Sequence, residues 1–213
     1  MRNNIKNARI AGVWYLAFII LGAFSIMFVD DSLTVVGDRL ATLEYFRSNM
    51  VLFIFGIIAY VAGYICFIFV VNNLGRLFKS TDNRLTLFMK ITVYAGVTLA
   101  LACKIAQIAA VAVPDEKLLA LYETGTAAAV IFWGIWLLPL GLVILKSNLI
   151  PKAIGVLLLG ACAANLTDFA IHFIIPSTPE EVLNICYIIG MLGEFGLVLW
   201  LLIKGIKAKK GGK

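Results

Sequence analysis

The sequence predicts an all-α, polytopic integral membrane protein with six transmembrane helices in one bundle. Three observations predict this fold class: the composition, the long uncharged runs and the distribution of charge along the chain. Hydrophobic residues make up 62% of the 213 residues and charged residues only 14%, against about half and about a quarter in soluble domains. A soluble globule would leave much of this apolar surface in water, whereas lipid as the solvent would not.

The spans can be read directly from the uncharged runs. Residues 10–29 contain no charge, and twenty residues of helix rise about 30 Å, enough to cross a bilayer core. The third, fifth and sixth runs are interrupted by single charges, including Lys104, Asp168 and Glu194. No linker is long enough to separate two domains, so residues 1–213 are predicted to form one. The six predicted spans are about 10–29, 50–71, 86–113, 120–145, 153–175 and 182–203.

Local patterns predict several details between and within the spans. The segment DRLATLEYFRSN before span two has apolar residues at three-residue spacing, which predicts a short helix on the outer surface; a ragged start to span two is the alternative. Trp14, Tyr15 and Phe18 are predicted to be interfacial anchors. Pro139 predicts a kink in span four. Small residues in spans five and six, among them Gly193, predict close packing of these two helices.

The basic residues indicate the orientation of the bundle. Among them, only Arg39, Arg47 and Lys117 fall in the segments that would lie outside, and Lys104 falls within a span. All others fall at the opposite side, which by the positive-inside rule is the cytoplasm. Both termini are therefore predicted to be cytoplasmic. The net charge of +6 is explained by this bias and by a basic tail near anionic headgroups, so membrane lipids are predicted partners and nucleic acid is not.

Polar residues at membrane depth are the candidate binding residues. Asn165, Asp168 and His172 are spaced by three and four and share one face of span five. The remaining candidates lie on spans three, four and six, and by the predicted topology most of the set falls in the outer half of the membrane. The full set of candidates comprises Lys104, Gln107, Glu123, Asn165, Asp168, His172, Tyr187 and Glu194.

The cost of burying charge predicts how these residues interact. An isolated charge near the bilayer centre costs about 3 kcal/mol on insertion scales. Lys104 is therefore expected to pair with Asp168 or Glu194, while the other acid is protonated or solvated. The polar set is expected to line a cavity that opens outward. The alternative is that the lysine–carboxylate pair only holds the helices in register.

The residue inventory excludes several kinds of chemistry. One histidine cannot supply both ligands of a bis-histidine haem or a multi-histidine metal site. The four cysteines fall singly in different spans, where they are typical of small buried hydrophobes. We therefore expect no metal, no cofactor and no disulfide. A buried carboxyl can still act as a general acid or base. The sequence therefore does not decide whether the protein is an enzyme, and it favours a protein that is not one.

Several stretches together resemble a known bacterial family. They are NARIAGVWYLAFIILGAF, YFRSNMVLFIFG, KSNLIPKAIGVLLLGACAANLTD and GEFGLVLWLLIKGIK. The chain is similar over nearly its whole length to a bacterial six-span family catalogued as domain of unknown function 4386. The resemblance implies the fold and the membrane location, and it places Arg47, Asp168 and Glu194 at motif positions. It implies no reaction.

The leading functional interpretation is a protein of the bacterial inner membrane that binds or transports a small solute through a polar intramembrane pocket. Proton coupling would suit an acid–lysine cluster, and six short-looped helices are few for a lone carrier, which predicts a homodimer. A second interpretation is a structural or sensor subunit in which the polar cluster only sets helix register. A third is an intramembrane enzyme that acts on lipid or quinone.

Overall fold

The computed structural model describes residues 2–174 and 180–206, and within these ranges the chain forms helices and turns without any strand. The first helix, α1, runs on into a seven-residue π-helical segment and the single turn α2. The bounds are α1 Arg2–Ala23, the π segment Phe24–Asp30, α2 Asp31–Leu33, α3 Arg39–Ser48, α4 Met50–Phe78, α5 Asn83–Ala112, α6 Glu116–Ile135, α7 Leu137–Ser147, α8 Lys152–Ile174 and α9 Glu180–Ile203.

Local sequence explains where these helices begin and end. Asp38, Asp82 and Asp115 precede α3, α5 and α6, and each side chain accepts hydrogen bonds from backbone N–H groups of the first turn, as N-cap residues do. Asn148 ends α7 in the left-handed conformation, with φ 53°. The break between α6 and α7 falls at Trp136, where Pro139 would leave a helical carbonyl unpaired. Span four is thus interrupted near Pro139, and the kink predicted there stays a prediction.

The described helices have the length and composition of membrane spans. Five of them are long and apolar enough to cross a membrane, and a shorter apolar stretch covers Met191–Ile203 in α9. Their outer surfaces carry large apolar side chains such as Val13, Ile20 and Phe28, which suits lipid rather than water. The all-helical, membrane-type architecture is confirmed, whereas the count of six spans and the orientation stay predictions. The five spans are Ile5–Leu33, Met50–Phe78, Asn83–Ala112, Glu116–Ser147 and Lys152–Ile171.

The long helices pack in the order of the chain and close on themselves. Helix α1 packs on α4, and α4 packs on α5. Helix α5 packs on both α6 and α7, which in turn pack on α8. Helix α8 packs on α9, and α9 also packs on α1, so the bundle is closed. Antiparallel α1 and α4 bring Trp14 against Phe69 near one end and Val29 against Gly56 near the other. In the described part of the chain α1 and α6 do not pack directly on each other, which leaves space between them.

Close approach of α8 and α9 depends on a glycine. A Cβ at Gly193 would lie 2.9 Å from the carbonyl oxygen of Leu157 and 3.2 Å from the Cβ of Ala161. A residue with a side chain would therefore separate the two helices, as small-residue contacts in membranes predict. The close packing predicted for spans five and six is confirmed at this position, although Gly196, one turn later, faces open space.

The end of α1 differs from the sequence prediction, whereas the segment before α4 agrees with it. The helix does not stop at Val29 but continues through the π segment and α2 to Leu33, so Asp30 is helical and only 7% exposed rather than part of an outer loop. The predicted short helix before span two exists as α3. Its Leu43 and Phe46 are buried with Val29 and Leu119, so α3 closes this end of the bundle.

Candidate functional site

Four side chains from three helical rods form a closed hydrogen-bonded group, the lysine cluster: Asp30, Lys104, Gln107 and Tyr122. The Lys104 ammonium donates to Asp30 Oδ2 at 2.7 Å and to Gln107 Oε1 at 2.7 Å. Gln107 Nε2 donates to Asp30 Oδ1 at 3.1 Å, and the Tyr122 hydroxyl donates to Asp30 Oδ2 at 2.9 Å. Each polar group of the cluster thus has a partner within it.

Three of the four side chains of the lysine cluster are buried, and the fourth, Tyr122, is partly exposed. Lys104 is 2% exposed and Gln107 is fully buried. The Lys104 Nζ lies 4.4 Å from the ring centroid of Tyr60 and 5.1 Å from that of Tyr122, so aromatic faces surround the part of the ammonium that does not meet oxygen. A buried ion pair with this many hydrogen bonds can offset its desolvation. The cluster has the properties of an internal structural link.

Helix geometry explains how the cluster assembles. Lys104 and Gln107 are three residues apart on α5 and therefore share a face. Asp30 ends the π segment, whose wider turn alters which side chains of this helix face inward; such segments are frequent at functional sites. The expectation that Lys104 pairs with Asp168 or Glu194 is wrong, because its ion-pair partner is Asp30.

Glu194 lies elsewhere in the bundle, on α9, and has a different partner. The Tyr15 hydroxyl of α1 donates a hydrogen bond to Glu194 Oε2. Tyr15 is fully buried, so the prediction that it anchors α1 at the membrane interface is wrong. In the described part of the chain no basic side chain pairs with Glu194. It is a carboxyl in the protein interior with one tyrosine donor and no counter-charge.

Glu194 also forms part of the wall of a cavity of about 220 Å³, here called the aromatic cavity. The cavity occupies the space between α1 and α4 on one side and the α6–α7 junction and α9 on the other. Among the described residues that line it, Glu194 is the one ionisable carboxyl, and Lys104 and Asp168 do not line it. The lining residues are Phe18, Gly22, Ile26, Tyr60, Gly63, Tyr64, Phe67, Trp133, Trp136 and Glu194.

The aromatic side chains of the cavity support one another. Phe18 stacks on Phe67 with ring centroids 4.4 Å apart, and Tyr64 stacks on Trp133 at 5.6 Å. Trp136 meets the ring of Phe67 edge-on at 5.0 Å. Such pairs favour fixed ring orientations. The cavity wall is therefore preorganised rather than loosely filled.

Tyr60 separates the aromatic cavity from the lysine cluster. Its ring lies against the Lys104 ammonium and it also lines the cavity. Its hydroxyl is 3.4 Å from the carbonyl oxygen of Ala100 and 3.5 Å from the Tyr64 hydroxyl. The two polar centres are thus neighbours across one ring, and they do not merge into the single outward-opening cavity that was expected.

The structure distributes the other candidates over separate sites. Asn165 donates to the carbonyl oxygen of Ala161 on its own helix at 2.8 Å, and Asp168 makes no hydrogen bond or ion pair with a described side chain. Glu123 forms an exposed ion pair with Arg39 at 2.9 Å. The side chains of His172 and Tyr187 lie outside the described residues. Whether any candidate binds a ligand stays a prediction.

Sequence reasoning missed Asp30, Tyr15, Tyr60 and Tyr122 as partners of the buried charges. Asp30 stands one residue beyond the uncharged run 10–29, and the predicted span therefore excludes it. For Tyr15 a signal did exist, because Ala8, Ala11 and Gly12 precede it at helical spacing and mark a closely packed face. Ala8 and Ala11 are fully buried in the structure, as is Tyr15.

Comparisons with known proteins agree with the resemblance seen in the sequence. A search of curated proteins and a search of solved structures each gave no match. A family model does match, over residues 10–205, and thus covers the helices that line the aromatic cavity and form the lysine cluster. The chain therefore belongs to the family described as domain of unknown function (DUF4386).

Proposed function

We propose that this protein is a six-span protein of the bacterial inner membrane, with both termini cytoplasmic, that binds a small organic cation in the aromatic cavity. The single observation that carries this proposal is the position of Glu194. Its carboxyl belongs to a cavity wall that is otherwise apolar and aromatic, and no described basic side chain neutralises it.

Electrostatics favour a cationic ligand over a neutral one. A carboxylate away from water is costly unless it is paired, and Tyr15 supplies one hydrogen bond without positive charge. Aromatic faces attract ammonium groups by about 0.5–2 kcal/mol each, which is the basis of aromatic cages for quaternary ammonium ligands. An amine or quaternary ammonium group would supply the missing counter-charge and would contact several rings at once.

The dimensions and position of the cavity restrict the ligand further. Its 220 Å³ is below the range of about 300–1,000 Å³ typical of drug-sized ligands, which favours a compact head group. Ile26 lines the cavity and is 46% exposed on the outer face of the bundle. This position favours entry from the side that would face lipid, where amphiphilic amines accumulate.

The test compares choline with 3,3-dimethyl-1-butanol, its neutral isostere, on the purified full-length protein in detergent. Trp133 and Trp136 line the cavity, so tryptophan fluorescence reports binding. We expect choline to bind at least about tenfold more tightly than the isostere, as one cation–π contact with partial desolvation would give. Glu194→Gln should reduce this preference, which the aromatic contacts alone then supply, and should leave isostere binding unchanged. Equal binding of both compounds to the unchanged protein would contradict the proposal.

The lysine cluster supports a structural role instead. Its groups satisfy one another and its ion pair is buried, so we propose that it holds the end of α1 against α5 and α6. Transport of the bound ligand, coupling to protons and assembly into a homodimer are further predictions that go beyond binding. No catalytic role is proposed, because the described cavity wall presents one carboxyl and the hydroxyls near it belong to tyrosines.

A further inference from the structure

A second pocket, the basic pocket, lies at the opposite end of the bundle from the lysine cluster, between the end of α4 and the start of α5. It has a volume of about 300 Å³ and is lined by Arg76, Lys79 and Lys90 together with the hydroxyl-bearing Thr86 and the apolar Leu87. No acidic side chain is among the described residues that line it. The aromatic cavity has one acidic side chain among apolar ones, whereas this pocket has three basic side chains. An anion would be electrostatically complementary to it.

The side chain of Lys90 on α5 packs against the backbone of α4 at Gly75. A Cβ added at Gly75 would overlap the Lys90 Cε and would lie 2.9 Å from its Nζ. The lysine side chain therefore crosses α4 directly over the Gly75 backbone, and it fits there because that residue has no side chain. Lys90 thereby shares the pocket with Arg76 and Lys79, both of which also line it.

None of these three cations has an ion-pair partner in the described part of the chain. The nearest acid in the sequence, Asp82, is engaged elsewhere, since it accepts from Lys146 at 2.8 Å and caps the first turn of α5. Like charges placed together without a counter-ion repel one another. A bound anion would remove this repulsion.

The surface beside the pocket indicates the source of the anion. Leu87 lines the pocket and is 54% exposed, and Ile91 continues the same exposed apolar face one turn further along α5. This end of the bundle also carries the start of α1, which the positive-inside rule assigns to the cytoplasm. Basic pockets between helices on that side are suited to phosphate head groups of anionic lipids.

We propose that the basic pocket binds the phosphate of an anionic phospholipid, with Arg76, Lys79 and Lys90 contacting the phosphate and the acyl chain lying along Leu87 and Ile91. The ligand chemistry is that of a phosphate ester. A lipid and free phosphate share this chemistry, and only the lipid would use the apolar face. The proposal is independent of the aromatic cavity.

The experiment titrates the purified full-length protein, in a neutral detergent, with dihexanoyl phosphatidylglycerol, dihexanoyl phosphatidylcholine and inorganic phosphate, and detects bound molecules by native mass spectrometry. We expect phosphatidylglycerol to bind at least about tenfold more tightly than phosphatidylcholine. Weaker binding of inorganic phosphate would support a lipid as the source. Equal binding of phosphate and phosphatidylglycerol would support the phosphate site and reject the acyl contact.

Two variants of equal charge locate the binding. Lys79→Gln with Lys90→Gln should lower the affinity for phosphatidylglycerol by at least about tenfold, whereas Lys152→Gln with Lys204→Gln, both exposed positions outside the pocket, should leave it within about twofold. Gly75→Ala keeps the net charge but displaces Lys90, and it should also weaken binding. Equal losses in the two double variants, or equal binding of the two lipids, would overturn the proposal.

Discussion

Asp30 and Glu194 are both carboxyls held inside the helical bundle, and both accept a hydrogen bond from a tyrosine. They differ in their charged partners and in the space beside them. Asp30 accepts hydrogen bonds from Lys104, Gln107 and Tyr122, whereas Glu194 accepts one from Tyr15 in the described part of the chain. Asp30 is sealed among packed side chains, and Glu194 meets a cavity. The difference teaches that an ionisable residue at membrane depth is a candidate for ligand binding when no other side chain neutralises its charge. When another side chain does neutralise it, as at Asp30, a structural role is the simpler interpretation.

The largest expected effect is the loss of stability when the lysine cluster loses its cation. Lys104→Met leaves Asp30 buried without counter-charge, and we expect the free energy of unfolding in detergent to fall by about 3–5 kcal/mol. The double variant Lys104→Met with Asp30→Asn should recover most of this loss, because it removes both charges. Thermal or denaturant unfolding of the purified protein measures both effects.

Two control variants define the comparison. Glu194→Gln should change the free energy of unfolding by less than about 1 kcal/mol, because glutamine still accepts a hydrogen bond from Tyr15. Arg39→Gln breaks the exposed pair with Glu123, whose side chains are 47% and 40% exposed, and should cost no more than about 1 kcal/mol. A loss at Glu194 as large as at Lys104 would show that the two carboxyls are equivalent after all.

An intermediate effect is expected when the aromatic cavity is filled. Gly22 lines the cavity, and a Cβ there meets no atom within 4 Å. Gly22→Leu should therefore keep the fold while it lowers choline affinity by about tenfold or more, because the added side chain occupies ligand space. Fluorescence titration measures the loss.

A matched control exists on α9 for this substitution. A Cβ at Gly196 also meets no atom within 4 Å, but this glycine does not line the cavity. Gly196→Leu adds the same side chain and removes the same helix-weakening glycine, so choline affinity should stay within about twofold of the unchanged protein. If both leucines weakened binding equally, the effect would not come from the cavity.

The smallest expected effect concerns a third carboxyl, the partly exposed Asp82, which lies outside the spans. The hydrogen bond from Lys146 and those from the backbone N–H groups of Leu85 and Arg84 lower the pKa of Asp82 below its ordinary value of 3.8. Because the folded pKa is the lower one, the stabilisation is complete above the unfolded pKa and is lost as the pH falls through the folded value.

Asp82→Asn should therefore cost little stability at neutral pH and should have less effect still at acidic pH. Asparagine remains a good N-cap, so the variant removes mainly the ion pair with Lys146. Unfolding measured at pH 7 and at pH 3 checks this prediction. A penalty that grew as the pH was lowered would contradict the assignment.

Much of the fold could be predicted from the sequence, because lipid as a solvent makes span length and apolarity almost sufficient. The predicted spans coincide with helices of the structure to within a few residues at most ends. The candidate site could be predicted only in part. Lys104 and Gln107 were correctly placed on one face of their helix, since that follows from local geometry. Their partners come from other helices, and a single sequence contains no record of which faces meet.

The sequence by itself determined that this chain forms long apolar helices, where most of them begin and end, and which few ionisable groups they carry to membrane depth. These are properties of local spacing and of solvent. Only the tertiary structure decided that Lys104 meets Asp30, and that Glu194 lies beside an aromatic cavity with no cationic partner among the described residues. The physical reason is that pairing of buried charges depends on how far each helix extends and how it is rotated against its neighbours, and packing sets both quantities across the whole bundle.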